Sequence, residues 1–238
     1  MPLAVIPMKK RRRGMKKLLP AVFMILLLTV GTAGADIAYP GAIAAWNMSQ
    51  ITGNVPASAV GIGSSHVTAY DMTRGAGLTL PTATSNAINS SGWTGEATDY
   101  VQFGIKIDPG YQVTLSDLYF GTKTSGTGPT QLLVKTSLDN YASTVYTVNQ
   151  DNAGGTYKNP DVNLSSLGSI TGDFYIRFYG IGATSSNGTM RVSAYDPSGT
   201  YYFDSITGNV TPTPIPAAAW LFGSGLVGLV GFRRKAGK

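Results

Sequence analysis

The sequence predicts an all-β protein: an antiparallel, jelly-roll-like β-sandwich flanked by an N-terminal signal peptide and a C-terminal single membrane helix. Three observations lead there. Short apolar/polar alternating segments recur roughly every eight to fifteen residues between positions 42 and 206, bounded by Gly, Asn, Asp and Pro, with no convincing amphipathic helix between them. The chain is rich in Gly, Ser, Thr, Asn and Tyr and only 13% charged, which suits twisted sheets joined by polar loops. An apolar run with basic residues beside it stands near each end.

The N-terminal run, Leu18 to Val30, follows Lys16 and Lys17 and ends in Thr32-Ala33-Gly34-Ala35. Small residues at Ala33 and Ala35 are what a signal peptidase reads, so residues 1–35 are expected to be a signal removed after Ala35. Met15 opens a compact signal by itself and is the expected true start, a genuinely long basic region from Met1 being the alternative. The partners implied are the Sec machinery and signal peptidase.

The expected domain, residues 36–210, is large enough to bury a core without staples, and the absence of cysteine removes disulfides and thiolate zinc sites. Ala42 to Met48 reads as a first strand with Trp46 turned inward. Val67 to Met72 and Leu78 to Leu80 read as short strands around the loop Thr73 to Gly77. In Tyr100 to Ile107 strict alternation places Val101, Phe103, Ile105 and Ile107 on one face, and Asp108-Pro109-Gly110 supplies a turn, so a hairpin with Val113 to Phe120 is expected. The apolar positions Val113, Leu115, Leu118 and Phe120 change parity midway, which predicts a bulge near Ser116.

Thr130 to Ser137, Thr144 to Asn149 and Val162 to Leu164 continue the pattern. Phe174 to Ile181 follows, with Phe174, Ile176 and Phe178 facing one way and Tyr175, Arg177 and Tyr179 the other. Met190 to Tyr195 and Tyr201 to Ile206 complete about ten strands. Ile-Thr-Gly-Asn-Val occurs at Ile51 to Val55 and Ile206 to Val210, with a near copy from Ile170 to Asp173; turns at strand ends, with Gly at positive φ, account for the recurrence.

The formal charge of +6 misleads until its distribution is considered. Seven basic residues precede the first apolar run and four follow the last, leaving seven against all twelve acids, or 7 − 12 = −5, for the domain. An acidic domain argues against nucleic-acid binding.

At the C-terminus Pro212, Pro214 and Pro216 hold the chain extended, and Ala217 to Phe232 follows without a charge. At about 1.5 Å per residue a helix over 217–232 is a little short of a typical hydrocarbon core, and counting Ile215 and Pro216 brings it close to the minimum for a span. Gly223, Gly225, Gly228 and Gly231 with Ser224 give it a small-residue side, and Arg233, Arg234 and Lys235 close it with positive charge.

This tail, residues 211–238, closely resembles the PEP-CTERM sorting signal of Gram-negative bacteria that make extracellular polysaccharide. The prolines, Trp220, Gly223-Ser224-Gly225 and the basic end stand in the order of that signal, although Pro214-Ile215-Pro216 lacks the central Glu and matches a proline-x-proline variant. The resemblance implies an exosortase-type processing enzyme as partner, cleavage near the prolines, and passage of the domain from the inner membrane to the cell surface or exterior, the apolar tail being discarded much as in lipid-anchor signals.

The domain resembles, more loosely, exported bacterial sandwich domains that often precede such a tail. The likeness rests on Ala45-Trp46, Thr73-Arg74-Gly75-Ala76-Gly77-Leu78, Ser91-Gly92-Trp93, Asp99-Tyr100, Ser125 to Pro129, Ser137 to Tyr141 and Arg177 to Gly180. It implies a fold and an address, and no catalytic residue.

For chemistry, His66 is the single histidine, near Ser64, Ser65 and Asp71, without a nucleophile-elbow pattern; a loop histidine is the plain explanation. Glu96, the sole glutamate, and Asp99 would be the carboxylate pair of a glycoside hydrolase. Asp151-Asn152 and Asp161 to Asn163 offer hard oxygens to calcium, but no calcium-binding motif accompanies them and turn chemistry, the favoured explanation, accounts for the same residues without a metal. Thirteen tyrosines, several in the last strands, offer rings to sugar faces: Tyr175, Tyr179 and Tyr195 are the candidate glycan-facing residues, with Tyr201 and Tyr202 beside them. Tyrosine's preference for half-exposed strands explains the same cluster without a ligand. The expectation is a non-enzymatic surface or matrix protein associated with exopolysaccharide and without a cofactor; a lectin-like module, calcium-dependent or not, is the alternative, and a secreted hydrolase the third reading.

Overall fold

The computed structural model describes residues 38–48, 64–81, 86–151, 155–200 and 202–214. The signal-peptide positions Ala33 and Ala35, and the tail residues Pro216, Trp220, Gly223, Gly225, Arg233, Arg234 and Lys235, lie outside them. Among the described residues no helix is long and apolar enough to cross a membrane.

The architecture is all-β, with every strand pairing antiparallel, in an arrangement consistent with a β-sandwich. One sheet has β1 (Ala42–Trp46), β13 (Asp204–Pro212) and β5 (Tyr111–Tyr119) in that order, with β9 (Asp161–Asn163) and β10 (Ser169–Ile170) both on the far edge of β5. The second runs β2 (Val67–Arg74), β4 (Tyr100–Ile107), β11 (Asp173–Ile181), β7 (Gln131–Thr136) and β8 (Tyr146–Asn149). A third, small sheet sets β12 (Met190–Ser193) between β3 (Ala87–Ser90) and β6 (Gly121–Thr124).

The alternation in β4 and β11 does what the sequence predicts: Val101, Phe103, Ile105, Ile107, Phe174, Ile176 and Phe178 are all buried. They meet the inward residues of the other sheet edge to face, as Trp46 does on Phe103 at 4.8 Å, and Phe120 stacks on Phe178 at 4.4 Å. The indole N–H of Trp46 donates to the Tyr70 carbonyl at 2.7 Å, so the ring is buried without losing a hydrogen bond. Arg74 ties the second sheet to the third by donating to the Asn89 carbonyl and the Ser90 hydroxyl.

The bulge expected near Ser116 is present. Between Ile206↔Leu118 and Gly208↔Leu115, Ser116 and Asp117 oppose the single residue Thr207. The Thr207 hydroxyl accepts from the Asp117 N–H at 3.1 Å and lies 3.3 Å from its carbonyl, replacing the ladder bonds that the bulge interrupts. Val113, Leu115, Leu118 and Phe120 therefore all reach the core in spite of their change of parity.

Four expectations need correction. The turn at Asp108-Pro109-Gly110 is real, the Tyr111 N–H donating to the Asp108 carbonyl, but β4 and β5 do not pair. The turn carries the chain from one sheet to the other, because both strands bury an apolar face and each finds its partners elsewhere. Leu78 to Leu80 forms only the bridge Thr79↔Ser91. The strand expected to end at Ile206 continues to Pro212, so the second Ile-Thr-Gly-Asn-Val lies within β13. Gly208 has no positive φ there; a Cβ on it would lie 3.1 Å from the Leu115 Cα, so close strand approach at the bulge selects glycine. The near copy at Ile170 to Asp173 is the expected turn, with Gly172 at φ 68°. Finally, β3, β6 and β10 are strands that the alternation did not signal. The copy at Ile51 to Val55 lies outside the described residues.

Candidate functional site

The second sheet buries one face and leaves the other half-exposed, and the alternating residues of β11 decide what the open face carries. Tyr175, Arg177, Tyr179 and Ile181 project there. The register sets Tyr175 beside Gly104, Arg177 between Gln102 and Lys135, and Tyr179 between Tyr100 and Leu133. Gly104 also pairs with Tyr70, and the Tyr70 and Tyr175 rings stack across it at 5.2 Å. A Cβ on Gly104 would stand 2.8 Å from the Tyr175 ring, so this stack requires glycine. Tyr70 donates to the Asp173 carboxylate at 2.7 Å, which with burial holds the phenol protonated well above its ordinary range.

Arg177 is the centre of the face. Its guanidinium carbon lies 3.9 Å from the Tyr100 ring centroid and 3.8 Å from that of Tyr141, so both of its flat faces are covered. Nε donates to Gln102 at 2.7 Å, and one terminal nitrogen lies 3.3 Å from the Tyr179 hydroxyl. Lys135 sits 5.5 Å from the Tyr179 ring.

Tyr141 reaches this position through an unusual backbone. A 3₁₀ turn at Ser137–Asp139 is followed by two consecutive left-handed residues, Asn140 at φ 55° and Tyr141 at φ 62°. That conformation is uncommon for an aromatic residue and unfavourable for one. Surrounding bonds hold it: the Tyr141 N–H donates to the Thr136 carbonyl at 2.9 Å, and the Asp139 carboxylate accepts from the Ser143 N–H at 2.8 Å. Those bonds to Ser143 keep Asp139 ionised below the usual carboxylate range.

Across from Tyr141, the loop Thr94 to Thr98 is held by Asp99. That side chain is buried and one oxygen accepts from the Thr94 N–H, the Thr94 hydroxyl and the Glu96 N–H. Between the two loops lies a groove of about 450 Å³ lined by Gly95, Glu96, Lys135, Asn140, Tyr141, Arg177 and Tyr179 among others. Chemically it offers aromatic edges, two cations, one carboxylate and an amide, the mixture suited to a flat, hydroxyl-rich ligand.

The tyrosines proposed from the sequence separate. Tyr175 and Tyr179 share this face, whereas Tyr195 is buried in another cluster with Tyr39, Tyr119 and Tyr202, where its ring meets that of Tyr119 at 5.2 Å. Tyr195 is thus packing, because β12 and its continuation belong to a different sheet; Tyr201 lies outside the described residues. Glu96 and Asp99 are not facing carboxylates: Glu96 is exposed, and Asp99 is the buried anchor of its loop. Asp151 is paired with Lys158 at 2.7 Å, Asn163 caps Ser165, and Asn152 lies outside the described residues. Among the described residues no three His, Asp or Glu side chains come together as a metal site.

His66, at φ 71°, stacks on Tyr111 at 3.6 Å and lies 3.3 Å from Asp108, beside an open cleft of about 410 Å³ between Gly41–Ile43 and Gly208–Val210. Pro212 is the last residue of β13 and Pro214 is exposed. Arg177 and Tyr179 were legible as outward residues of one strand; Tyr100, Tyr141, Lys135 and Gln102 come from three other segments, and only pairing register and the left-handed turn unite them. No protein-family model matches the chain, and no characterised protein matches it in sequence.

Proposed function

We propose that the protein is an exported, non-enzymatic surface or matrix component whose jelly-roll-like domain binds polysaccharide on the open face of the second sheet. The observation that carries the reading is the clamped Arg177, with Tyr100 and Tyr141 on its two faces and Tyr179 at its edge, opening into the groove. Such fixed rings supply apolar contact to sugar faces at low entropic cost, and the held guanidinium and amide give hydroxyl groups directional partners. Export rests on the basic and apolar ends of the sequence: a signal peptide cut after Ala35, and a PEP-CTERM-like tail processed near Pro214 to Pro216 by an exosortase-type enzyme in the inner membrane. The groove extends the simple association with exopolysaccharide to a defined lectin-like site.

The test is co-sedimentation of the full-length protein, held in detergent, with a panel of insoluble and gelled polysaccharides, with and without calcium. Saturable binding that Tyr141→Ala and Tyr179→Ala each weaken, and that chelation leaves unchanged, is expected. Binding that survives both substitutions would move the site elsewhere, and its absence across the panel would refute the reading.

A further inference from the structure

We infer that the groove takes an anionic polysaccharide, one whose sugars carry carboxylates, and that Arg177 and Lys135 together receive the carboxylate. This rests on the glycan-binding reading and specifies its ligand.

The first ground is register. Arg177 and Lys135 are directly opposed on β11 and β7, and like charges in that relation repel each other. The domain as a whole is acidic, with seven cations against twelve acids, so setting two of those seven side by side is not a consequence of general basicity. Nor are they neutralised from within: among the described residues no carboxylate lies within ion-pair distance of either. An anion between them converts a repulsion into two attractions.

The second ground is how Arg177 is held. Rings cover its faces, Gln102 occupies Nε, and the Tyr179 hydroxyl is beside one terminal nitrogen. Among the described residues the remaining terminal nitrogen is the unspent edge, and its N–H groups are planar and fixed in direction, the geometry that a carboxylate matches. The rings also exclude water, so the charge is less screened than on an open surface. Lys135, lying over Tyr179 with its ammonium 3.5 Å from the Ala142 carbonyl, adds a movable point charge on the same side.

Glu96 is the one carboxylate lining the groove. It disfavours a second anion nearby, which selects chains with spaced single carboxylates over densely sulfated ones.

The experiment compares polygalacturonate with the same polymer after its carboxyls are reduced to primary alcohols, and with neutral dextran, titrated against the full-length protein in detergent. Saturable binding to polygalacturonate is expected, weakened by added salt, and at least tenfold weaker for the reduced polymer. Arg177→Gln should weaken it about 10- to 100-fold, the range for losing a charge-assisted hydrogen bond, and Lys135→Gln about 3- to 10-fold. Arg177→Lys, which keeps charge but loses the planar fork, should remain several-fold weaker than wild type. Should Arg177→Gln unfold, the Lys135→Gln variant, at a half-buried position, carries the comparison. Equal binding of the native and reduced polymers would overturn the anionic assignment while leaving glycan binding intact. No binding to any of the three would overturn the anionic assignment and, if the wider panel also failed, the glycan reading with it.

Discussion

Replacing Asp204 by Asn should make the protein more stable at neutral pH and change nothing at low pH. Asp204 opens β13 opposite Trp46 and is 1% exposed; one oxygen accepts a long bond from the Gly121 N–H at 3.4 Å, with the Tyr195 N–H also near, and among the described residues no cation lies against it and its other oxygen has no partner. Burial therefore pushes its carboxyl well above the usual range, against the smaller pull of the two backbone donors. The folded state holds the proton more tightly than the unfolded state. Its contribution is therefore fully present below the unfolded value near 4 and is lost as pH rises toward the folded value. Across that window the wild type should lose up to about 1.4 kcal/mol per pH unit relative to Asp204→Asn, which mimics the neutral acid and does not titrate. Other titrating groups are common to both proteins and cancel in the difference. Chemical denaturation followed by near-ultraviolet circular dichroism from pH 4 to pH 8 measures it. Parallel pH profiles for the two proteins would refute the reasoning, as would an Asn variant less stable throughout.

Other consequences follow from single contacts. Tyr141→Asn exchanges an aromatic for a residue that tolerates the left-handed turn; its denaturation midpoint should be unchanged or higher while glycan binding falls about tenfold, in keeping with strain held for function. Gly104→Val should destabilise by about 1–3 kcal/mol, since its Cβ meets the Tyr175 ring and the Phe174 carbonyl, and should disturb the Tyr70–Tyr175 stack seen in tyrosine fluorescence. Thr207→Val leaves the Asp117 N–H of the bulge unpartnered and should cost about 1–3 kcal/mol in urea unfolding. A chain ending at Thr213 should unfold cooperatively, its last N–H still bonded to the Gly110 carbonyl, whereas one ending at Thr207 loses the half of β13 paired with Tyr111 to Leu115 and should fail to give a cooperative transition.

The sequence by itself determined the secondary-structure class and much of the core. Period-two alternation is a local property, so the buried sets of β4 and β11 could be named residue by residue, and the parity change in β5 was enough to place a bulge. Composition at the two ends carried the expectation of export, because the length of an apolar run and the charge beside it need no fold to be read. Pairing was another matter. The Asp108-Pro109-Gly110 turn looks the same whether the strands it joins pair with each other or diverge into two sheets, and the choice depends on which distant strands cover each apolar face. Short strands such as β3 and β6, buried on every residue or nearly so, show no alternation to detect. The tyrosines divided for the same reason: Tyr179 and Tyr195 are alike in local sequence terms, but one stands on the open face of β11 and the other is packed beneath Tyr39 and Tyr119. The groove itself was decided only by tertiary structure. Arg177 acquires its clamp from Tyr100 through strand register and from Tyr141 through two left-handed residues, and neither relation exists until the chain has folded.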